Sequence, residues 1–467
     1  MVTRIVAVTA LALLVWTGSA FGAGFALIEQ GVKGLGNAFA GGAAVADDPS
    51  TVFFNPAGMT RLEGQQALGA VHIIAPKAKF DKDSATNALG APLSGNEGGG
   101  AGVTGVAPNL YYTFNPANGW VFGVGVNAPF GLATEYNKGW VGRYHAVESD
   151  VKTVNINPSV AYKATDQLSL GFGVSAQYID AKLSQMVDYG LFAAGAASDP
   201  SHPLFSTLNP IAGSILPTVS NREADIFSDI EADDWSYGFN LGALYEVCDH
   251  SRIGLAYRSQ VSHELEGEAD FDIPSAYLAS QDPILAGVAA SVFQDQGAGG
   301  EIDLPASASL SYYHRFNAEW AAMADVTWTE WSSFEKLVIE FDGSLASQPS
   351  VTTENWDDNF RYSVGTTFNP DEQLELRAGL AYDETPIPDA EHRTPRIPGE
   401  DRLWIAVGAG YKIDNFGFDF GYAHLFVDNS RINKTATPGT EDEGRGTLVG
   451  EFENSVDIAS IEVSYRF

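Results

Sequence analysis

An acidic row near the middle of the chain holds the residues best suited to bind an ion. Carboxylates alternate with other residues along a predicted strand, which places them on one face about 6.8 Å apart. They are Glu264, Glu266, Glu268, Asp270 and Asp272, with His263 just before them. Divalent cations prefer carboxylate oxygens, so one interpretation is a cation site that bridges to an anionic surface. We favour the other interpretation, a solvated acidic extension of that strand.

Other residues that suggest enzyme or cofactor chemistry lack the context that such chemistry needs. Gly34-Leu-Gly36 is similar to part of a dinucleotide-binding loop, but no predicted strand precedes it and no βαβ unit surrounds it. Cys248 is the only cysteine, so an intramolecular disulfide is excluded and a metal or redox role has little support. No Ser, His and Asp arrangement can be assembled from the sequence. We therefore expect no enzymatic activity, no metal and no cofactor.

The charge balance argues against nucleic acid as a partner. The chain has 26 Lys and Arg against 59 Asp and Glu, which gives a formal net charge of −33. A phosphate backbone would be repelled by a protein of this charge.

The first residues have the pattern of a secretory signal peptide. Arg4 is followed by an apolar run that ends at Trp16, which is too short to span a bilayer, and small residues lead to Gly22. Cleavage after Gly22 would give residues 1–22 as the signal peptide and a mature chain that begins at Ala23. No later window is apolar enough for a transmembrane helix, so we expect an exported chain without one.

The dominant signal after the signal peptide is an alternation of residue types with period two. Between Trp235 and Tyr245 the odd-numbered residues are apolar, while the even-numbered residues are mostly small or polar. Similar alternation recurs at Leu168–Tyr178, Leu374–Asp383 and Phe416–Ala423. The pattern predicts strands with one apolar face. Such strands build either a soluble sandwich with that face inward or a membrane barrel with that face outward.

Three features favour the barrel. Aromatic residues cluster at strand ends, where membrane-interface girdles form. Short and long connections alternate, as periplasmic turns and extracellular loops do, with long ones at Phe80–Gly105 and Asp188–Asp233. The chain also ends in an alternating strand that closes with Phe467, which resembles the outer-membrane assembly signal.

We therefore predict an all-β fold, a 14-stranded antiparallel transmembrane β-barrel over residues 65–467, with both termini on the periplasmic side. The predicted strands are centred near Val71, Tyr111, Val124, Ile156, Phe172, Phe239, Leu255, Ser309, Val326, Val364, Leu376, Val407, Phe420 and Ile461.

Residues 23–64, before the first predicted strand, do not alternate. They are too apolar for a free periplasmic tail, which is the alternative, and a barrel of fourteen strands has room for a plug. We predict that these residues form a plug inside the lumen, which we call the hatch.

Several short segments match those of a known family. In the hatch they are Gly24-Phe25, Gly34-Leu-Gly36, Ala46-Asp-Asp48 and Asn55-Pro56-Ala57. In the barrel they are Asn127–Tyr136, Trp331–Phe334, Tyr382–Pro388 and the spaced residues Arg393, Ile397-Pro398, Asp401-Arg402 and Trp404. Together they resemble the FadL-type family of outer-membrane transporters of long-chain fatty acids and other hydrophobic compounds. The likeness covers nearly the whole mature chain, whereas Asn-Pro-Ala alone would be a weak signal.

The resemblance implies passive uptake of long-chain fatty acids or related molecules across the outer membrane of a Gram-negative bacterium. Ligand would be captured outside, enter an apolar pocket beside Phe25, and leave sideways through a wall gap at the third strand as the hatch rearranges. The implied partners are the hydrophobic ligand, outer-membrane lipid, lipopolysaccharide and the barrel assembly machinery, and the implied assembly is a monomer. The segment Asp188–Asp233, with helix-like stretches at Tyr189–Ala197 and Leu204–Leu216, is interpreted as a lid that receives ligand.

The residues at the third strand support a local gap. Pro129 cannot donate a ladder hydrogen bond and Gly131 permits a kink, so strand pairing should fail there. The alternative is that Pro129 merely ends the strand near the outer rim.

The residues expected to bind ligand or to act in gating come from the hatch, from the kink at the third strand and from the basic side chains. They are Phe25, Asn55, Pro56, Ala57, Pro129, Gly131, Lys336, Arg361, Arg377, Arg393 and Arg402.

The chain departs from the family where basic side chains accompany the buried carboxylate. Gln185 stands where an Arg is expected, and Val338 stands where a Lys is expected, although Lys336 shares that strand face. Alternation turns Arg258, Arg361 and Arg377 toward the lumen, where they either substitute for the missing cations or pair with acids of a polar interior. These departures leave room for a neutral ligand such as an aromatic hydrocarbon or an alkane.

Two other functional classes remain open. A water-filled porin is disfavoured by the apolar hatch and by the inward positions predicted for Trp331, Leu244, Trp404 and Leu425. An outer-membrane enzyme or a surface adhesin would have to use the long loops.

Overall fold

The protein is a closed β-barrel with a helical segment inside it. The structure, a computed structural model, describes residues 24–467, and the predicted signal peptide lies outside the described residues. Fourteen antiparallel strands form one sheet, which closes because the first strand pairs with the last from Gln66↔Arg466 to Thr86↔Thr447. The predicted fold class is confirmed.

Every predicted strand centre lies in the strand to which it was assigned. The strands are β1 Gly64–Thr86, β2 Gly105–Asn115, β3 Trp120–Asn127 and Gly131–Glu135, β4 Glu148–Lys163, β5 Leu168–Val187, β6 Ile226–Cys248, β7 Ser251–Arg258 and Val261–Asp272, β8 Gln296–Leu304 and Ser307–Arg315, β9 Trp320–Thr329 and Lys336–Phe341, β10 Ser350–Thr353 and Asn359–Phe368, β11 Leu374–Asp383, β12 Arg402–Ile413, β13 Phe416–Val427 and Ser430–Lys434, and β14 Thr447–Arg466. Strands given as two segments are interrupted between them.

The two faces of the wall differ as the alternation predicts. Tyr237, Phe239 and Leu255 point outward with 76%, 40% and 54% of their surface exposed. Leu244 and Trp404 point inward and are 1% exposed. A continuous apolar outer surface of this kind is stable only against hydrocarbon, so the wall is built to cross a membrane.

Aromatic residues mark the two levels at which the wall leaves the membrane. At the turn end, Trp120 packs on Tyr162 with ring centroids 4.6 Å apart, and at the loop end Tyr178 packs on Trp235 at 5.3 Å. The register pairs Tyr178 with Val154, so β4 crosses between the two levels in residues 154–162. A tilted strand of about that length spans the hydrocarbon core.

Above the outer aromatic level, the strands continue where the sequence analysis predicted loops. β1 runs on to Thr86 and β6 begins at Ile226, so the predicted loop boundaries at Phe80 and Asp233 are wrong. The reason is that outward positions become charged there while inward positions stay buried, so the lipid-facing pattern ends before the strand does.

The acidic row of β7 lies on this extension with its carboxylates exposed. Among the residues that the structure describes, no three His, Cys, Asp or Glu side chains gather around a possible metal position.

The helices are short and lie at two levels. Inside the lumen are α1 Val32–Gly36, α2 Gly42–Val45, α3 Thr51–Phe54 and the 3-10 helix Pro56–Arg61. In the extracellular loops are α4 Tyr189–Ser198, α5 Phe205–Leu208, α6 Ala212–Ile215, α7 Ser275–Gln281 and α8 Pro283–Val292, with 3-10 helices at Asn209–Ile211 and Leu216–Thr218, and a further 3-10 helix, Trp331–Ser333, interrupts β9. Within residues 24–467, none of the helices is long and apolar enough to cross a membrane.

The helix-like stretches predicted in the longest loop are present as α4 to α6. They pack against α7 and α8 in a shared apolar cluster, and the Tyr189 hydroxyl donates a hydrogen bond of 2.7 Å to the Leu285 carbonyl. The two long loops therefore form one folded cap above the barrel.

The wall satisfies backbone groups that the short hatch helices leave unpaired. A helix of one turn has no internal partner for its first N–H groups. The Val32 N–H donates to Glu462 Oε2 at 2.8 Å, and the Ala43 N–H donates to Ser311 Oγ at 2.9 Å. Both acceptors belong to strands, so the barrel interior holds the hatch by polar side chains.

Two inward glycines let the hatch approach the wall closely. A Cβ added at Gly171 would overlap the Ala57 backbone, and one added at Gly242 would overlap Asn55 Oδ1. Asn55 in turn donates to the Ala43 carbonyl at 2.7 Å and to the Ala243 carbonyl of β6 at 3.0 Å. The small inward residues of the alternation are therefore a docking surface for Asn55-Pro56-Ala57.

Gly242→Val tests this docking. The added side chain should displace the Asn55 turn, lower stability by about 1–3 kcal/mol through overpacking, and raise small-solute permeability in liposome swelling. Gly69→Val on the lipid-facing side of β1, where only the flexible end of Leu110 lies nearby, should leave permeability unchanged. Equal permeability of the two variants would contradict a hatch seated on Gly242.

Candidate functional site

The wall has a gap between β2 and β3. The ladder between these strands ends at Leu110↔Val126, and β3 stops at Asn127 and resumes at Gly131. Pro129, within the interruption, has no N–H to donate. Residues 105–109 of β2 consequently pair with β1 but not with β3.

The N-terminal residues of the hatch occupy this gap as a short inserted strand. The Leu27 N–H donates to the Pro129 carbonyl at 2.8 Å, and the Gly131 N–H donates to the Phe25 carbonyl at 2.9 Å. Ala26 lies opposite Phe130 between these two bonds. Phe25–Leu27 thus supplies β3 with the partner that β2 does not provide.

Two amide side chains fasten the same segment to both sides of the gap. Gln30 Nε2 donates to the Ala128 carbonyl at 2.7 Å, on the β3 side. Asn109 Nδ2 donates to the Glu29 carbonyl at 2.8 Å, on the β2 side. Both edges of the gap are therefore bonded to hatch residues.

An aromatic cluster surrounds Phe25. Its ring lies 4.8 Å from Trp331, 6.0 Å from Phe130, 5.8 Å from Phe334 and 6.1 Å from Trp356, measured between ring centroids. Trp331 and Phe334 come from the interruption of β9, so this second irregular strand reaches the hatch residue that lies in the β3 gap. The ring of Phe25 is 2% exposed.

A cavity, which we call the hatch cavity, adjoins the gap and the aromatic cluster. Its apolar lining includes Ala26, Leu27, Ile28, Phe39, Phe53, Phe54, Pro56, Pro129, Phe130, Trp331 and Trp404. Its charged lining consists of Arg258, Asp325, Arg361 and Asp383. This combination suits an elongated apolar molecule that carries at most one polar end.

Arg361 is a cation of this cavity, and not all of its N–H donors are hydrogen-bonded. It is 6% exposed and donates from one terminal nitrogen to the Ala38 carbonyl at 2.8 Å, while its Nε and other terminal nitrogen have no hydrogen-bond partner. Its guanidinium lies 5.0 Å from the Trp404 ring. In the described chain it forms no ion pair within 4.0 Å. Buried donors without partners are costly, so a hydrogen-bond acceptor bound here would be stabilised.

The other charges around the hatch cavity are engaged with protein groups. Arg258 donates to the Phe53 carbonyl at 3.1 Å and stacks on the Phe53 ring at 4.1 Å. Asp383 lies 3.8 Å from Arg402, which is buried behind the lining. Asp325 accepts a bond of 2.8 Å from Thr327 and a second bond from Ser311.

The remaining predicted basic residues lie away from the hatch cavity. Arg377 forms ion pairs with Glu375 and Asp419 on the periplasmic side of α1, at 2.6 and 2.7 Å. Arg393 pairs with Glu400 within the loop between β11 and β12, at 2.5 Å. Lys336 is exposed at the start of the second segment of β9.

Sequence reasoning missed the buried cation Arg396. Arg396 lies in the loop between β11 and β12 and donates to Gln185 Oε1 at 3.3 Å. The residues around it show no periodicity, so nothing in the sequence indicates that this loop reaches back into the barrel.

A buried carboxyl lies beside the aromatic cluster, above the outer aromatic level. Glu354 is 2% exposed and accepts a hydrogen bond of 3.0 Å from the Trp356 indole N–H. Burial raises the pKa of Glu354 to about 8. The side chain is therefore held largely neutral at pH 7.

These features define a class of protein. A closed barrel with an apolar outer face, aromatic levels at both ends and a folded segment within its lumen is an outer-membrane β-barrel with an internal plug.

The chain belongs to a known family of that class. The profile of the family described as "Outer membrane protein transport protein (OMPP1/FadL/TodX)" matches residues 13–467, and the predicted recognition and location in the outer membrane are confirmed.

Relatives cover almost the full length. "Outer membrane protein P1" of Haemophilus influenzae is 30% identical over 444 residues, which are 92% of each chain. The "Long-chain fatty acid transport protein" of Escherichia coli K12 is 29% identical over 449 residues, 94% of this chain and 96% of the relative. A crystal structure of a Pseudomonas aeruginosa FadL homologue is 27% identical with a TM-score of 0.82, covering 95% of this chain and 99% of the other. The family is one of transporters and channels.

Glu354→Gln tests the buried carboxyl. The pKa of Glu354 is raised on folding, so the stability it contributes is complete below about pH 4.5 and is lost as the pH rises through about 8. The thermal unfolding midpoint of the variant should therefore exceed that of the wild type at pH 9 and approach it at pH 5. The exposed Glu340→Gln serves as the control. A Glu354→Gln difference that does not change with pH would contradict this assignment.

Proposed function

We propose that this protein carries long-chain fatty acids or related hydrophobic molecules passively across the outer membrane and releases them sideways through the gap at β3. One observation supports this most strongly. The segment Phe25–Leu27 completes the wall at the gap and at the same time lines or backs the hatch cavity. Movement of one segment would therefore open the wall beside a bound ligand.

The energetics favour a sideways exit for such cargo. Each methylene removed from water contributes about 0.8 kcal/mol, so a chain of about sixteen carbons favours an apolar site by roughly 12 kcal/mol. Release into the aqueous periplasm would cost about that much. Passage through the wall into lipid avoids most of the cost, so the concentration difference and removal of the product suffice as a driving force.

Few hydrogen bonds hold the hatch strand and its neighbours Glu29 and Gln30 in the gap, which suits a gate. Two backbone hydrogen bonds join it to β3, and each contributes a net of about 0.5–1.5 kcal/mol. A ligand tail that buries a few methylenes among Phe25, Phe130 and Trp331 gains a comparable free energy. Ligand binding and strand release can thus be coupled without an external energy source.

Arg361 is our candidate for the ligand head group. It lines the hatch cavity and has unpaired donors, whereas Arg377 and Arg393 are engaged in ion pairs elsewhere. If the natural cargo is a neutral aromatic hydrocarbon or alkane, Arg361 will not affect its transport.

The same geometry argues against a water-filled porin. The hatch helices dock on the inner wall through Asn55 and fill the lumen beside β6, and the residues around Phe25 are aromatic. We also propose that residues 23–64 form the plug, of which the first residues are the gate, and that residues 65–467 form the wall. The remaining proposed partners are outer-membrane lipid, lipopolysaccharide and the assembly machinery that would read the terminal strand β14, and we propose that the protein works as a monomer.

A disulfide between the hatch and the wall tests lateral exit. Ala26 and Phe130 form a pair without mutual hydrogen bonds, and such pairs bring Cα atoms to about 4.5 Å, within disulfide range. In a Cys248→Ser background, the Ala26→Cys and Phe130→Cys double variant should lose nearly all uptake of radiolabelled oleate when oxidised and recover it on reduction. The two single variants are controls. Full uptake by the oxidised protein would refute exit through this gap.

Substitution of Arg361 tests the head-group assignment. Arg361→Met should lower oleate uptake by about tenfold and leave hexadecane uptake unchanged, and Arg361→Lys should restore part of the oleate uptake. Unchanged liposome swelling will show that the hatch remains seated. Equal loss for oleate and hexadecane would count against a carboxylate at Arg361.

A further inference from the structure

A groove lies on the outer face of the wall, where β8 and β9 approach the turn that joins them. We call it the outer groove, and its volume is about 340 Å³. Its lining includes Tyr312, His314, Phe316, Ala322 and Ala324. In the next outward row toward the membrane centre, the paired residues are the larger Leu310 and Val326. The groove is therefore a local depression in the lipid-facing surface.

The outer groove lies in the periplasmic half of the membrane. At the turn end of β9, Trp320 stacks on Phe368 with ring centroids 4.5 Å apart, which marks the periplasmic aromatic level. Ala322 and Ala324 are the next two outward residues of β9, so they face hydrocarbon just inside that level. In an outer membrane this leaflet consists of glycerophospholipids, whereas lipopolysaccharide forms the opposite leaflet. Phospholipid acyl chains therefore cover the groove.

A row of rings stands beside a floor of small residues. Ala322 and Ala324 end at Cβ, and their partners on β8 are His314 and Tyr312. The rings of Tyr312 and His314 are stacked at 6.4 Å between centroids, and the Phe316 ring lies edge-on to His314 at 4.7 Å. A chain laid along the alanines would touch this row over several methylenes. Such van der Waals contact is the main attraction between apolar surfaces in a membrane.

His314 gives the apolar groove a hydrogen-bond donor. His314 Nδ1 and Ser251 Oγ share a hydrogen bond of 2.6 Å, and the Tyr312 hydroxyl donates to the same Oγ at 3.4 Å. Because Ser251 accepts from Tyr312, its own proton goes to His314 Nδ1, and Nε2 then carries the N–H of the neutral ring. No hydrogen bond joins Nε2 to another residue of the described chain. This N–H is therefore free to donate to a ligand.

Two further basic groups lie beside His314 at the periplasmic end. Arg315 is exposed, and its guanidinium donates to His250 Nδ1 at 3.4 Å. The Arg315 backbone N–H also donates to the His250 carbonyl at 2.8 Å, which joins the two neighbouring turns. Asp249 and Glu319 belong to these turns, but within the described residues neither lies within 4.0 Å of a basic nitrogen of this group. The charge of Arg315 is permanent, so this end of the groove is positive although the whole chain carries −33.

We propose that the outer groove binds one glycerophospholipid of the periplasmic leaflet, with an acyl chain along Ala322 and Ala324 and the phosphate at His314 and Arg315. Hydrogen bonds from a guanidinium to a phosphate are short and charge-assisted, so the polar end of the groove selects an anionic head group. Met323, between the two alanines, points inward and accepts a hydrogen bond of 2.9 Å from Asn37 Nδ2 of the hatch. The lipid therefore lies behind a part of the wall that holds the hatch, and the site is separate from the gap at β3.

The test counts lipids retained by the purified full-length protein. Protein reconstituted with dioleoyl phosphatidylglycerol is transferred into detergent and analysed by native mass spectrometry. The Ala322→Leu and Ala324→Leu double variant fills the floor of the groove, and Arg315→Gln removes the charge. Ala67→Leu is the control for the floor, because Ala67 faces outward on β1 at the periplasmic aromatic level, between Tyr112 and Tyr465. Lys163→Gln, at the exposed turn end of β4, is the control for the charge.

The wild type and both controls should retain one phosphatidylglycerol. Arg315→Gln should weaken its retention by about tenfold, and the double alanine variant should weaken it severalfold. Dioleoylglycerol, which has the same chains without the phosphate, should be retained equally by the wild type and Arg315→Gln. Equal retention of phosphatidylglycerol by the wild type and both test variants would overturn the proposal. Displacement of the lipid by an equimolar amount of oleate would also overturn it, since the groove would then be a site for cargo.

Photolabelling of the wild type locates the lipid without any substitution. Phosphatidylglycerol with a diazirine in one acyl chain should label the tryptic peptide 316–336, which contains Ala322 and Ala324, in preference to peptide 62–77 of β1. Equal labelling of the two peptides would indicate only the general lipid shell around a barrel and would overturn the proposal.

Discussion

The requirement that every backbone polar group in a membrane wall be paired governs this structure. Hydrocarbon offers no substitute for a missing ladder partner, and each unpaired N–H or C=O costs several kcal/mol. Pro129 breaks the ladder of β3, and the carbonyl and amide groups beside it are paired by Phe25–Leu27 instead of β2. The wall is therefore closed only while the start of the hatch stays in place. The hydrogen bonds that fill the gap are the ones that we propose a ligand breaks.

The rest of the hatch is docked on the wall by contacts that do not involve its first residues. Asn55-Pro56-Ala57 lies against wall glycines, and polar side chains of the strands cap the one-turn helices. The segment around Phe25 adds aromatic contacts with Trp331 and Trp356 to its hydrogen bonds with the wall, and we propose that an apolar ligand replaces these aromatic contacts. The aromatic contacts at Phe25 mark the part of the plug that we propose moves.

The sequence predicts the barrel well because its signal is local and repeated. The alternation with period two predicted all fourteen strands and the inward direction of residues such as Leu244 and Trp404. This works because the side of the wall that a residue faces is indicated by the few residues next to it. It failed at the end of β1 and the start of β6, because their outward positions turn from apolar to charged above the membrane. It also gave no means to choose among the basic residues. Arg361, Arg377 and Arg396 differ only in which distant groups surround them, and these contacts are set by the closed barrel.

The central claim is that ligand binding releases Phe25–Leu27 from the β3 gap, and amide hydrogen exchange measures this most directly. The Leu27 and Gly131 amides bridge the hatch and the wall, while the amides in the intact ladder between β2 and β3, around Tyr112 and Val124, serve as an internal reference. In nanodiscs saturated with oleate, exchange at Leu27 and Gly131 is predicted to accelerate while the reference amides keep their protection. If both bridging amides stay protected at saturation while uptake proceeds, the ligand leaves by another route.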